Sequence, residues 1–586
     1  MLQSFDRGTS PRATTTPTPD LRRMPKRTKP PTRGGGPPAA IDLLLALGCA
    51  ALALWVQRGA LGVYFHPDDL ISMEWARGIL PAPDLGPWRF LSGRLFFATM
   101  LGVFGADPRA YHVLNAVLHA ANVVLLYALA RRWGAPAPAA ALAAGLFGAA
   151  RPAFSVLEQA VGIGELLAFG FGVAALLLCE RRALAARAAA VLLLTAALLS
   201  KEGVLLLPLV LLLPRPPGAW AWPTAWRERL GVAGPLLATS ALFGLAFAIG
   251  HVRERAFGGE AYAIGFGANL FHDLMTYVAW AVDVRNPFYD QPGGVSLQAW
   301  RVGLPVVAAL IALAWAARGR TRLPMVGLAW AGLTIAPVLP LLHHTYANYL
   351  YAPLAGVGLA VGAGLEALVA APPASGRPRR RDPPGRRTFA VAVIVGLLLI
   401  AHAMVSERLL AARTARRFPG LDLPFDVQLR KSEMVRRAAA GLRRTSPGPL
   451  RRIVLFLPNE TASRLDDRTG RLFRDSTLTL RQMLMVQVLD GGRALRALFP
   501  GLDSVAFVSR WSPVFADFDL CANTPEGDIV DLGRGSDAHL RLGELLLRGG
   551  YTTLAVEHLE RACAAYPRDT RLANLLAAAR ARAAPR

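Results

Sequence analysis

The sequence predicts an α-helical polytopic membrane protein of about 11 spans, followed by a soluble α/β region that ends in a helical repeat. Three observations lead there. Of 586 residues 53% are hydrophobic, and apolar stretches of 12 to 24 residues, the length scale of bilayer-crossing helices, recur as far as residue 405. Beyond 405 no such stretch returns. The basic residues are also segregated. Segments 1–40, 131–136, 180–187, 214–230, 318–323 and 372–388 hold 25 Arg or Lys against 5 Asp or Glu, whereas the alternating loops 58–111 and 251–301 hold 9 basic and 10 acidic residues.

Residues 1–39, rich in Pro, Thr and Arg, have no apolar periodicity and read as a disordered basic tail. The membrane domain covers 40–405, with expected spans at 40–57, 112–130, 137–150, 154–179, 188–200, 202–214, 233–250, 302–317, 324–342, 348–370 and 388–405, and a further apolar segment at 90–105. The positive-inside rule then makes the N-terminus cytoplasmic and turns loops 58–111 and 251–301, with everything after 405, to the other side. This topology accounts for most of the formal charge of +25. No basic patch is interleaved with aromatic residues, so the charge does not point to nucleic acid.

Chemistry-bearing residues gather on the non-cytoplasmic side. The first outer loop carries Tyr64-Phe65-His66-Pro67-Asp68-Asp69, two adjacent carboxylates close to a span, where acids are costly without a role; a plain turn is the alternative. Arg89 and Arg94 follow. In the next span His112, Asn115, His119 and Asn122 share one helical face, as a cavity lining or as interhelical hydrogen bonding. Glu158 and Glu165, seven residues apart, share a face of the span at 154–179. Lys201, one of four lysines among 65 basic residues, stands in Ser200-Lys201-Glu202, as an anion contact or in a local ion pair with Glu202. The long loop 251–301 offers Trp280, Asp283, Arg285, Asn286, Tyr289 and Arg301. His343-His344-Thr345-Tyr346 and Asn348-Tyr349-Leu350-Tyr351 complete the set; adjacent histidines diverge by ~100° on a helix, which favours phosphate or hydroxyl contacts over metal.

Residues 406–535 read as a soluble mixed α/β region, with strands at 453–457 and 504–508 and a hairpin within 519–531. From 536 to 586, Leu542, Gly543, Ala555, Leu559, Ala562 and Pro567 fall at the register of one tetratricopeptide unit with a capping helix. One unit does not make a stable solenoid, so it must pack on the preceding region or on a protein partner. Cys521 and Cys563 lie where a disulfide is permitted.

Taken in order, Asp68-Asp69, Arg89 and Arg94, Tyr111-His112 with Asn115 and His119, Ser200-Lys201-Glu202, Tyr349-Leu350-Tyr351 with Pro353, and a terminal repeat resemble the GT-C class of membrane glycosyltransferases. Within that class the transmembrane-and-tetratricopeptide O-mannosyltransferases and their bacterial relatives are the nearest type. Two differences stand out: no arginine falls between Arg151 and Arg181, and Ala347-Asn348 replaces the family's Glu-Arg. The resemblance therefore implies sugar transfer more than mannose or a protein acceptor.

What it implies is a GT-C-like fold in a bacterial inner membrane with a periplasmic C-terminal domain. A sugar would be moved, with inversion, from a polyprenyl-phosphate donor to a hydroxyl of a glycan or protein. Asp68 or Asp69 would act as base, with Arg89, Arg94, Lys201, His343 and His344 on the donor phosphate. His112, Asn115, His119, Glu158, Glu165, Glu202, Tyr346, Tyr349 and Tyr351 would support them. The cysteine spacing marks no metal site, and a divalent cation stays an open choice. A lipid or solute transporter, or a catalytically inactive scaffold docking partners through its repeat, are the rival readings.

Overall fold

The computed structural model describes residues 39–81, 88–181, 183–214, 225–254, 263–282, 297–369, 384–418, 422–445, 452–456, 462–465, 472–475, 485–508, 511–523 and 528–584. Among them, seven helices are long and apolar enough to cross a membrane, and an eighth span forms if Ala137–Gly148 and Arg151–Leu157, bent by 53°, are joined. Four shorter apolar helices, Phe90–Phe104, Leu184–Ser200, Glu202–Leu212 and Leu323–Val338, fill the remaining expected positions.

The long elements are α1 (Ala39–Gln57), α4 (Pro108–Arg132), α7 (Ile163–Cys179), α9 (Trp226–Glu254), α11 (Leu297–Ala317), α13 (Tyr351–Val369) and α14 (Pro384–Ala415). Asp107 caps α4 by accepting the Arg109 N–H at 3.1 Å, with proline at the first helical position. Between them lie α5 (Ala137–Gly148), α6 (Ala153–Leu157), α8 (Leu184–Ser200), α10 (Ala268–Val282) and α12 (Leu323–Ile335). The interior of the bundle is closed by small residues. A Cβ on Gly356 of α13 would come within 2.5 Å of the Gly327 carbonyl on α12, and one on Gly362 within 2.4 Å of the Ala139 carbonyl on α5. In a membrane such backbone contact supplies the dispersion energy that apolar burial alone cannot.

One sequence expectation changes here, and one choice between two readings is made. The span at 154–179 is broken: α6 ends at Leu157 and α7 starts at Ile163, after a short 3₁₀ turn at Ala160–Gly162. Gly162 sits where a Cβ would lie 1.8 Å from the Val156 carbonyl, so the chain folds back on itself there. Glu158 and Glu165 therefore do not share a helical face. Second, the polar stripe of α4 holds this break and its neighbours together. His112 Nδ1 meets the Leu157 carbonyl at 2.9 Å and Asn115 donates to the Gln159 carbonyl at 2.9 Å. Further along, Asn122 donates to the Leu166 carbonyl at 2.9 Å and the Tyr351 hydroxyl at 3.1 Å, and His119 Nδ1 lies 2.8 Å from that hydroxyl. All four are buried.

After the last span, α15 (Val427–Thr445) leads into a four-stranded sheet in the order β4-β1-β5-β6, formed by β1 (Arg452–Phe456), β4 (Ser504–Val508), β5 (Asp519–Asn523) and β6 (Ile529–Gly533). β1 is parallel to both β4 and β5, and β6 closes one edge antiparallel to β5. β2 (Ala462–Leu465) and β3 (Leu472–Asp475) pair separately as a two-stranded antiparallel sheet. Helices Gly535–Arg548 and Thr552–Ala565 form a hairpin whose Leu542, Leu546 and Ala555 cover Val454, Phe456 and Leu520 of the sheet. Helix Thr570–Ala583 packs on the second of these through Leu572, Leu576 and Ala579. Cys521 and Cys563 are unbonded.

The other side of the sheet shares its core with the segment that follows α1. Phe65, Leu70, Met73, Phe97 and Tyr111 form one continuous apolar cluster with Met434, Leu442, Ile453, Leu455, Leu489 and Leu495. Cutting the chain at residue 406 on hydropathy alone divides a single core.

Candidate functional site

The acidic pair opens a helix, α2 (Pro67–Ala76), rather than a loop. His66 is its N-cap and Asp69 closes a capping box. Asp69 is fully buried and spent on backbone: Oδ2 accepts the His66 N–H at 2.7 Å and Oδ1 the Val161 N–H at 2.8 Å, tying α2 to the break between α6 and α7. Burial pushes its carboxyl up to about 7 against the pull of those N–H groups. Asp68, one residue earlier, is 64% exposed at its side chain. The pair thus divides into one acid committed to structure and one open to a reactant.

Next to α2, residues Phe90–Leu95 form a π-helical turn preceded by Arg89 in the left-handed region, at φ +49°. A non-glycine residue held there stores strain, a state that concentrates at functional positions. Its guanidinium forks onto Glu202, with Nη2 at 2.7 Å from Oε1 and Nε at 3.4 Å from Oε2. Lys201 sits in extended backbone where α8 stops, and its Nζ lies 2.8 Å from Glu165 Oε1. It therefore pairs with Glu165 at the start of α7, not with its neighbour Glu202. Ser92 Oγ donates to the Ser200 carbonyl at 2.6 Å, fixing the π-helical turn against this corner. Gly164 admits the approach: a Cβ there would lie 3.3 Å from the Ser200 carbonyl and 3.6 Å from Lys201 Cδ.

The segment before α13 covers the other side. Lys201 Nζ stands 5.1 Å from the centre of the Tyr349 ring, and His344 packs edge-on against Tyr346 at 4.5 Å. Burial, followed by the charges of Lys201 and Arg89, pushes His344 down to about 4, so it is neutral at physiological pH. Asp68 and Glu202 act on it in the opposite sense. Asp68, Arg89, Lys201 and Glu202 thus all lie within electrostatic reach of His344.

His343 and Arg94 are exposed, and several other expected members lie elsewhere. His112, Asn115, His119 and Tyr351 belong to the buried network around α4. Glu158 is buried and paired with Arg413 at 3.0 Å. Asp283, Arg285, Asn286 and Tyr289 lie outside the described residues. Among the described residues no three His, Cys, Asp or Glu side chains group as a metal site.

The structure also adds residues. Asp273 of α10 accepts the Thr345 hydroxyl at 3.4 Å beside His344, and burial pushes its carboxyl up to about 6. An acid in the middle of the mostly apolar Ala268–Val282 was the available signal. Arg413 joins Glu158 to Asp426, with Nε at 2.7 Å from Asp426 Oδ2, and nothing in its arginine-rich surroundings distinguishes it.

No protein-family model matches the sequence, and no curated protein does. Among solved structures, the crystal structure of ArnT from Cupriavidus metallidurans bound to undecaprenyl phosphate is similar at 15% identity and a TM-score of 0.39, covering 83% of this chain and 93% of that one.

Proposed function

We propose that this chain is a GT-C-type membrane glycosyltransferase that moves a sugar from a polyprenyl-phosphate carrier to a hydroxyl on the non-cytoplasmic face of a bacterial inner membrane. The observation that carries the reading is the open carboxylate of Asp68, which like Arg89 and Lys201 lies within electrostatic reach of His344. Transfer with inversion needs a base on one side of the anomeric carbon and cations on the other. Asp68 takes the acceptor's hydroxyl proton as that oxygen bonds to the anomeric carbon. The bond to the phosphate oxygen breaks, and its electron pair leaves with the polyprenyl phosphate. Lys201 and Arg89, held by Glu165 and Glu202, stabilise that phosphate. The ordered motifs that resemble the GT-C class support the same assignment. The acceptor is a glycan or protein hydroxyl, and the C-terminal helices offer a surface for a protein partner.

The test is a transfer assay with radiolabelled hexosyl polyprenyl phosphates in proteoliposomes. Asp68→Asn should lower turnover by ~10² to 10⁴-fold with donor binding retained, the range for a positioned general base. Lys201→Met should weaken donor binding as well, because the phosphate is charged before transfer begins. Near-parental turnover by Asp68→Asn removes the base and with it the proposed reaction.

A further inference from the structure

Helix α2 is held from the C-terminal region as well as from the bundle. Asp426 caps α15, its Oδ1 accepting the N–H groups of Gln428 at 3.0 Å and Leu429 at 3.1 Å. Gln428 and Ser432, one turn apart, therefore face the residues that lead into α2. Ser432 Oγ donates to the Tyr64 carbonyl at 2.8 Å, and Gln428 Oε1 meets His66 Nε2. His66 is only 5% exposed.

That contact has a consequence for the ring. An amide oxygen only accepts, so His66 Nε2 carries the proton and Nδ1 is bare. The bare Nδ1 accepts the Asp68 N–H at 3.4 Å and lies 3.7 Å from Asp68 Oδ2. The N–H that this lone pair accepts belongs to Asp68 itself, so the tautomer of His66 holds the first turn of α2 on which the carboxylate stands. We propose that Gln428 is a positioning residue for Asp68: by fixing the Nε2–H form of His66 it keeps Nδ1 free to accept the Asp68 N–H and so holds the base in place at the start of α2. The C-terminal region is thereby part of the catalytic apparatus. This rests on the reading of Asp68 as the base.

The charges around His66 are compatible with a neutral ring. Asp68 on its own helix and Asp426 on α15 favour its protonation, and Lys431 on α15 opposes it. Burial outweighs them and holds the ring below the usual histidine range.

The experiment uses the full chain in nanodiscs, labelled with ¹⁵N-histidine, together with the transfer assay using hexosyl polyprenyl phosphate. In the parent, the His66 resonances should report a single Nε2–H form across neutral pH. Gln428→Leu should mix the tautomers and lower kcat about tenfold or more with the donor KM unchanged, a fraction of what the base itself supplies. Gln428→Glu, which keeps the side chain's shape, should turn His66 into an imidazolium. Its Nδ1, then protonated, could no longer accept the Asp68 N–H, and kcat should fall as in Gln428→Leu with the donor KM again unchanged. Ser432→Ala, on the same face, should lower Tm with kcat and the His66 tautomer at their parental values. Parental kcat in both Gln428 variants, with Asp68→Asn inactive, overturns the positioning role alone. Asp68→Asn at the parental rate overturns the base reading and this inference together.

Discussion

Two neighbouring aspartates meet opposite fates because a helix N-terminus has a limited set of donors to satisfy. Asp69 answers two of them, and Asp68, turned outward, is left with its acceptor capacity free. Asp69→Asn offers an NH2 to an N–H that needs an acceptor. That should cost about 1–3 kcal/mol of stability, seen as a lower Tm in detergent, whereas Asp68→Asn should leave Tm nearly unchanged while slowing transfer by ~10² to 10⁴-fold. A substituted Asp69 with parental Tm and lost turnover would reverse the two roles. Gly162 is decided on the same scale. A methyl group there would strike the Val156 carbonyl at 1.8 Å, so Gly162→Ala must open the break between α6 and α7 and release the Asp69–Val161 contact. Loss of folded protein by size-exclusion chromatography is the expected outcome.

At the scale of elements, α2 is clamped between the bundle and the C-terminal region, and one clamp depends on pH. Glu74 is fully buried against the helix Arg493–Leu498, with Arg493 Nε 3.8 Å from its Oε2. Burial, reinforced by Asp490, pushes its carboxyl up to about 8 against the pull of Arg493 and Arg496. A folded-state value above the unfolded ~4.3 means that the folded chain binds the extra proton. The stability it contributes is fully present below the unfolded value and is lost as pH rises through about 8. Glu74→Gln should flatten the fall of Tm between pH 5 and 8.5, and an unchanged slope would remove Glu74 as its source. The second clamp is the buried chain Glu158–Arg413–Asp426, which connects the α6–α7 break, the end of α14 and the cap of α15. Arg413→Met strands two buried carboxylates and should cost about 3–5 kcal/mol, measured as loss of Tm. Replacing Glu158 and Asp426 by Gln and Asn in the same chain should recover part of it.

For the whole molecule, the continuous cluster from Phe65 to Leu495 makes the C-terminal region a structural partner of the segment that follows α1. A chain ending at residue 415 would expose Leu70, Met73 and Phe97, so it should aggregate or be degraded rather than survive as a competent membrane half. A stable, active truncation would show that the shared core is dispensable. The lipid-facing surface is drawn by the same contrast. Only 11% of the Phe389–Ala415 span is buried, against 67% of Ala347–Val369, which places α14 on the outside and α13 at the centre of the bundle.

The amino-acid sequence alone determined the membrane class, the positions of the apolar segments and, to within a residue, the strands expected at 453–457 and 504–508. Hydropathy and local turn chemistry act over a few residues, and their traces are read directly from spacing. Which carboxylate faces which cation was decided only by tertiary packing. Lys201 passes over adjacent Glu202 for Glu165, Arg89 takes Glu202 from 113 residues away, and Arg413 reaches Glu158 across 255. The α4 stripe shows the same limit: its period was legible, but whether His119 and Asn122 lined a cavity or bound Tyr351 depended on how α4 and α13 packed. A helical period marks a face and leaves open what covers it. In an apolar interior the answer is whichever partner satisfies the most buried donors and acceptors at once.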